Sequence, residues 1–297
     1  MKLTNTVVVG MDGSDPARTA AEWAADWAAD RDRPLILLAV HGTVASERRA
    51  TDSAWHWPDA AGRKQQVEVV LDQQIEHLKE RHPDLQIDRL VLTADPVDAL
   101  VRASRDALMV VIGTRRLGGI TGKVLGSVAD AAVARAEGPI VVVPPGYQAA
   151  PGPIMIGFDL AAPPLEAARF AFAAAQESGR KLVVATVEDP VRPLELIAPV
   201  QPVSLLPSHD LALRRQQVEK ALADLRVEFP DVECEVTVVP GLTARSLVAL
   251  GSEAELLVVG TRGRSELLGL LFGSVSRTVL RETETPAVVV PEHTFAD

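Results

Sequence analysis

The chain repeats itself. Val8-Val9-Gly10-Met11-Asp12 returns as Met155-Ile156-Gly157-Phe158-Asp159, 147 positions later. The same offset carries His82-Pro83-Asp84 to Phe229-Pro230-Asp231, and Val111-Ile112-Gly113-Thr114-Arg115 to Val258-Val259-Gly260-Thr261-Arg262. It also carries Gly126-Ser127-Val128 to Gly273-Ser274-Val275, and residues 139–143 to 286–290. Five blocks in one order at one spacing require a duplicated domain. The 297 residues then divide into two units of ordinary domain size. Pro144-Pro145-Gly146 and Pro151-Gly152-Pro153 bracket a stretch through which neither strand nor helix continues. The expected boundaries are therefore 1–146 for the first copy, 147–152 for a linker and 153–297 for the second copy.

Within one copy the apolar pattern changes period repeatedly. Residues 6–10 form a short β-branched run, and Asp15-Pro16 offers a cap and a first-turn proline before an alanine-rich segment that ends near Asp30. Uninterrupted apolar runs at 35–40, 108–113 and 140–143, with a strand pattern at 88–92, alternate with helical spacing at 65–81, 96–104 and 124–136. Alternation of this kind, with strands apolar on both sides, predicts a parallel sheet covered by helices on both faces. Each copy reads as a doubly wound, five-stranded α/β domain. Ligands in such folds bind beyond the carboxyl ends of the strands, so the residues that follow each strand are the informative ones.

Composition excludes several classes of function. The net charge is −10, and the halves carry 17 basic against 20 acidic and 13 basic against 20 acidic side chains, so neither offers the basic face a nucleic acid needs. The single cysteine, Cys234, makes no internal disulfide and no thiolate metal site, and the histidines show neither HExxH nor Cys/His spacing. No membrane span or signal core is seen, which gives cytoplasmic residence as the expectation. Trp23 and Trp27, at i and i+4, are expected to pack on the sheet.

In the second copy the strand Leu256-Leu257-Val258-Val259 ends in Gly260-Thr261-Arg262-Gly263, and Gly273-Ser274 opens the next helix. Strand, glycine loop and helix N-terminus form the geometry in which backbone N–H groups and the helix dipole converge on an anion. Gly260 and Gly263 would let the backbone approach a ligand without a Cβ in the way. The spacing matches neither GxGxxG nor a Walker A loop, since Gly122-Lys123-Val124 lacks the earlier glycine and the following Ser/Thr.

The pattern G-x-x-G, nine residues, G-S after the fourth strand resembles the ATP-binding signature of the universal stress protein family, across both copies. The resemblance implies a Rossmann-like, adenine nucleotide alpha hydrolase-like fold for each copy, with ATP in the cleft, ordinarily accompanied by Mg²⁺. It implies a nucleoside lined by Asp159 and Val187 in the second copy, with Gly260, Arg262, Gly263, Gly273, Ser274 and Val275 around the phosphates. In the first copy it implies Asp12, Gly13, Ser14 and Val40 on the nucleoside side, and Gly113, Arg115, Arg116, Gly126, Ser127 and Val128 on the phosphate side.

Each copy departs from the family pattern in its own way. The second has the complete loop but reads Asp159-Leu160-Ala161-Ala162-Pro163 where Asp-Gly-Ser is common. The first has Asp12-Gly13-Ser14, but Arg116 stands at the second loop glycine. If that position requires positive φ the arginine is strained by about 1 kcal/mol or more; alternatively its guanidinium contacts phosphate. Long insertions at 44–63 and 190–210 flank the ligand-bearing rim and are expected to act as lids or partner surfaces. In this family the terminal strands pair across a dimer, so 140–143 and 287–290 are expected to pair within this chain or in a homodimer.

No Ser/His/Asp or Cys/His constellation and no positioned base for a hydrolytic water is present, so no catalytic residue is expected. The leading expectation is a regulatory, stress-response ATP-binding protein whose nucleotide occupancy biases partner choice. The alternatives are a nucleotide-free dimerisation or partner-binding module, and a slow ATPase or other nucleotide-dependent enzyme.

Overall fold

The computed structural model describes residues 3–41, 63–116, 123–188, 211–261 and 273–292. The insertions at 44–63 and 190–210 lie outside these, apart from Arg63 and its place at the start of a helix.

The first copy runs β1 (Val7–Met11), α1 (Asp15–Asp30), β2 (Leu35–His41), α2 (Arg63–Arg81), β3 (Ile87–Thr93), α3 (Pro96–Asp106) and β4 (Met109–Gly113). Two residues of ribbon, β5 (Arg115–Arg116) and β6 (Lys123–Val124), precede α4 (Ser127–Ala134) and β7 (Ile140–Val143). The second copy runs β8 (Ile154–Gly157), α5 (Leu165–Ser178), β9 (Leu182–Glu188), α6 (Leu211–Ala221), α7 (Ala223–Glu228), β10 (Cys234–Pro240), α8 (Thr243–Leu250), β11 (Leu256–Gly260), α9 (Ser274–Glu282) and β12 (Ala287–Val290). The expected fold is present: two five-stranded parallel α/β domains in doubly wound order.

Local chemistry explains the element ends. Ser14, one residue before the expected cap, accepts from the Ala17 N–H and starts α1, with Pro16 in the first turn. Asp95 does the same for α3 through the Val97 and Asp98 N–H groups. Between the copies, Pro144-Pro145-Gly146-Tyr147 closes with a Tyr147 N–H to Pro144 C=O bond, and Gly146 takes φ +70°. Proline then glycine at the centre of a four-residue turn is type II chemistry.

The two sheets are one. The strand order is β10-β9-β8-β11-β12-β7-β4-β1-β2-β3, parallel within each copy and antiparallel where β12 meets β7. Val288 stands opposite Val141, and these two hold the same place in the repeat, so the junction lies on a local two-fold axis. Every residue of β7 and β12 is buried. The expected terminal-strand pairing therefore occurs within one chain.

One apolar layer beneath the sheet draws on α1, α2, α5, α6 and α7, and the other on α3, α4, α8 and α9. Alanines at 17, 20, 21, 24, 25 and 28 bring α1 close to the strands. Trp23 and Trp27 are buried and stack with centroids 5.3 Å apart, as packing residues.

A polar contact also spans the copies. Arg31, at the end of α1, donates to Glu255 at 2.9 Å and to the Trp27 carbonyl at 3.3 Å, with its guanidinium 3.3 Å from the centroid of the Trp27 ring. Arg180 donates to the other Glu255 oxygen at 3.0 Å. Burial pulls the Arg31 guanidinium below its ordinary range, and the bond to Glu255 opposes that.

All four tryptophans lie in the first copy, so their fluorescence reads that half alone. Val288→Asp places a carboxylate in the buried junction from the second copy. It is expected to lower the tryptophan-reported stability by about 3 kcal/mol or more, as measured by the urea midpoint.

Candidate functional site

In each copy the strand order turns back at the first strand: β1 is flanked by β2 and β4, and β8 by β9 and β11. The crevice at this switch point opens at the carboxyl ends of those strands.

In the first copy β1 and β2 are in register through Met11 and Ala39, so Asp12 leaves the end of β1 level with Val40, which stays in β2 and pairs with Leu92 of β3. The Asp12 Oδ1 atom accepts from the Ser14 N–H at 3.0 Å and from the Ser14 hydroxyl, while Gly13 takes φ +77°. This tight turn needs glycine for its left-handed step and sends the chain into α1. Asp12 Oδ2 accepts from Arg115 at 3.3 Å. The pair spans the crevice from β1 to β5.

The second copy keeps the position and changes the turn. Asp159 stands two steps beyond the last β8–β9 pair, level with Val187, which is still paired with Val239 of β10, but Asp159 Oδ1 accepts from the Ala161 N–H at 2.9 Å and its carbonyl from the Ala162 N–H at 3.2 Å. Helix α5 begins at Leu165, three repeat positions later than α1, on Pro164 with no side-chain cap. Leu160-Ala161-Ala162-Pro163 supplies no hydroxyl to cap an earlier turn.

The strand-end glycines are required by packing. A Cβ on Gly113 would lie 2.1 Å from the Pro16 carbonyl oxygen, and one on Gly260 would lie 2.6 Å from Pro164 Cβ. These glycines admit the first turn of α1 and of α5 against the sheet. The helix-cap glycines are not packed in this way. Gly126 has open space around it, and Gly273 has only the Ser276 hydroxyl, at 3.9 Å. Both take an extended cap conformation with no side-chain cap, so neither cap residue accepts from the first-turn N–H groups of α4 and α9. Ser127 and Ser274 are exposed beside them, and Val128 and Val275 turn inward to the core.

Ser276, which sequence reasoning passed over, donates to the Gly260 carbonyl at 3.0 Å. It pins the start of α9 to the end of β11. Its repeat counterpart is Ala129, so the first copy has no such bond. The helix starts also differ in charge, since Asp130 sits in the first turn of α4 where α9 has Arg277. An acidic residue there favours the helix dipole and repels an anion, whereas a basic one attracts it.

Arg116 lies in β5, paired with Lys123. Among the described residues only Asn5 and Asp32 are non-glycines with positive φ, so the strain considered for Arg116 does not arise. Arg262 and Gly263 lie outside the described residues. Among the described residues no three His, Cys, Asp or Glu side chains cluster as metal ligands, and no helix is long and apolar enough to cross a membrane.

Comparison with known proteins follows this geometry. The model of the universal stress protein family matches residues 4–144 and again 152–291. Universal stress proteins of Mycobacterium bovis and Mycobacterium tuberculosis are 31% identical over 296 residues, covering 95% of this chain and 96% of theirs. The crystal structure of a universal stress protein from Archaeoglobus fulgidus covers 97% of this chain and 98% of its own, at 16% identity and a TM-score of 0.70. A half-length universal stress protein from the same organism, in complex with dAMP, matches 46% of this chain and 95% of its own at 22% identity and a TM-score of 0.34.

The two kinds of glycine are separable by substitution. Gly113→Ala and Gly260→Ala are expected to cost about 2 kcal/mol or more through overpacking, while Gly126→Ala and Gly273→Ala stay within about 1 kcal/mol. Thermal melts of the four variants provide the comparison.

Proposed function

The chain belongs to the universal stress protein family, and from that premise we propose that it is an ATP-binding regulatory protein whose second copy holds the nucleotide more tightly. The observation that carries this reading is the start of α9. Its N–H groups are uncapped at Gly273, its end is tied to β11 through Ser276, and it follows the loop that begins Gly260-Thr261-Arg262-Gly263. A polyphosphate supplies the acceptors these donors lack, and Arg277 adds positive charge one turn away. Asp159 and Val187 stand where a ribose and base would meet the sheet. Mg²⁺ would arrive with the phosphates and be held by them.

A second reading applies to the first copy alone. There Asp12 is already engaged by Arg115, Arg116 replaces the second loop glycine, and Asp130 places negative charge at the start of α4. These features weaken an anion site and suit a half that contributes partner surface rather than nucleotide affinity. Occupancy of the second copy then biases the loops on its rim, and with them partner choice. Turnover is not part of this reading, which assigns no base to a hydrolytic water among the described residues.

Nucleotide released from the denatured purified protein, identified and counted by chromatography, tests the assignment together with calorimetric titration of ATP. The expected result is one tightly held nucleotide per chain. Gly273→Val is expected to remove that site while leaving the melting curve near its original position, and Arg277→Asp to weaken it by about tenfold and flatten its salt dependence. Absence of bound nucleotide and of ATP uptake would favour the nucleotide-free module for both copies.

A further inference from the structure

The junction between the copies is nearly symmetric, and one contact breaks the symmetry. Repeat equivalence can be read from the backbone. Leu108 N–H donates to the Thr6 carbonyl at 3.0 Å, as Glu255 N–H does to Pro153, and Arg33 N–H donates to Ala28 as Arg180 N–H does to Ala175. Leu108 therefore holds in the first copy the place that Glu255 holds in the second. Ser178 likewise holds the place of Arg31, and Ala174 that of Trp27. The Arg31 contact with Glu255 thus occurs once across the junction, and its two-fold mate is Ser178 with Leu108.

The strand pairing at the junction is indifferent to which copies meet. Ile140, Val141 and Val142 face Val289, Val288 and Ala287, and any combination of these strands is apolar and self-complementary. Arg33 pairs with Glu177 across the copies, and the counterpart of Glu177 is Asp30, so this ion pair survives in every combination. The Arg31 contact does not survive. Were two first copies to meet through β7, each Arg31 would face Leu108 in place of Glu255, and its side chain, fully buried here, would lose its carboxylate and keep only the Trp27 carbonyl of its own helix. A buried charge stripped of its partner disfavours the arrangement about a hundredfold or more. Were two second copies to meet, Glu255 would keep Arg180, so the discrimination falls mainly on the first copy.

We infer that Arg31, stacked on Trp27, is a pairing-specificity residue. The face formed by the end of α1 and the edge of β7 accepts a domain that presents a carboxylate at the position of Glu255, and it refuses another first copy. The apolar strand edge supplies the adhesion, and the guanidinium selects the partner. The tether between the copies raises their local concentration, and Arg31 adds discrimination that the tether cannot, against the first copy of a second chain.

The test uses the full chain with Cys234→Ser, refolded at high protein concentration in a thiol–disulfide buffer. Val141→Cys places a thiol on the two-fold axis. In the pairing seen here it faces Val288, whereas between two first copies the two substituted 141 positions face each other at a cross-strand spacing that a disulfide fits. The readout is the covalent dimer on a non-reducing gel. With Arg31 present only a trace is expected. Arg31→Ser, which installs the repeat counterpart, and Arg31→Met, which keeps an apolar stem over Trp27, should each raise the dimer about tenfold or more. Arg31→Lys keeps the charge and should leave it at a trace. Should the serine variant fail to refold, the methionine variant decides. Equal dimer yield with and without the buried charge overturns the proposal, as does a rise with lysine that matches the rise with methionine. Neither outcome depends on nucleotide binding.

Discussion

The antiparallel contact of β7 with β12 is the constraint on which the molecule rests. Each copy ends in a strand of three or four β-branched or small apolar residues that has a neighbour on one side only within its own domain. An exposed apolar edge of that kind templates aggregation. Joining the two edges removes both liabilities together and turns two moderate cores into two layers continuous through the whole chain. What remains open at the margins is β3 and β10, whose residues are mostly half-buried or exposed and carry charges such as Asp88, Arg89 and Glu235. Those charges suit strands that stay unpaired.

Duplication also shows how a packed contact drifts without being lost. In the first copy the Ser104 hydroxyl donates to the Val101 carbonyl and accepts from the Glu137 N–H, and Gly138 lies so close that a Cβ would stand 1.9 Å from the Ser104 oxygen. In the second copy the residues at those places are Gly251 and Thr285, and the Thr285 hydroxyl donates to the Gly251 carbonyl at 2.8 Å. The hydroxyl has changed sides and the glycine with it, leaving the helix-to-strand approach filled. Gly10 and Gly157 are held more strictly, each against a leucine from the same repeat position, Leu100 and Leu247.

Much of this architecture was legible in the residue order. The repeat offset, the apolar strands and the partnering of the terminal strands follow from pattern alone, because period and burial on both faces leave a direct imprint on residue type. Other features needed three dimensions. That Gly113 and Gly260 are also required by the starts of α1 and α5 resting on them is not visible in the residue order. The β5–β6 ribbon is too short to have a period. Ser276 reads as an ordinary helical serine unless the end of β11 is known to lie beside it. Arg31 and Glu255 are 224 residues apart, and nothing local marks either as buried. The candidate site was thus readable in its motif and opaque in its supports.

A two-fold axis perpendicular to a sheet reverses the direction of the strands that it relates. All strands of the first copy run one way and all strands of the second run the other. The carboxyl ends, where each crevice opens, consequently lie on opposite rims of the ten-stranded sheet, and the chain following β2 leaves from one rim as the chain following β9 leaves from the other. The molecule is a double-ended object, with two addresses pointing away from each other. Whatever acts at one rim is separated from the other by the full height of the sheet, and the junction strands are the covalent and hydrogen-bonded route between them.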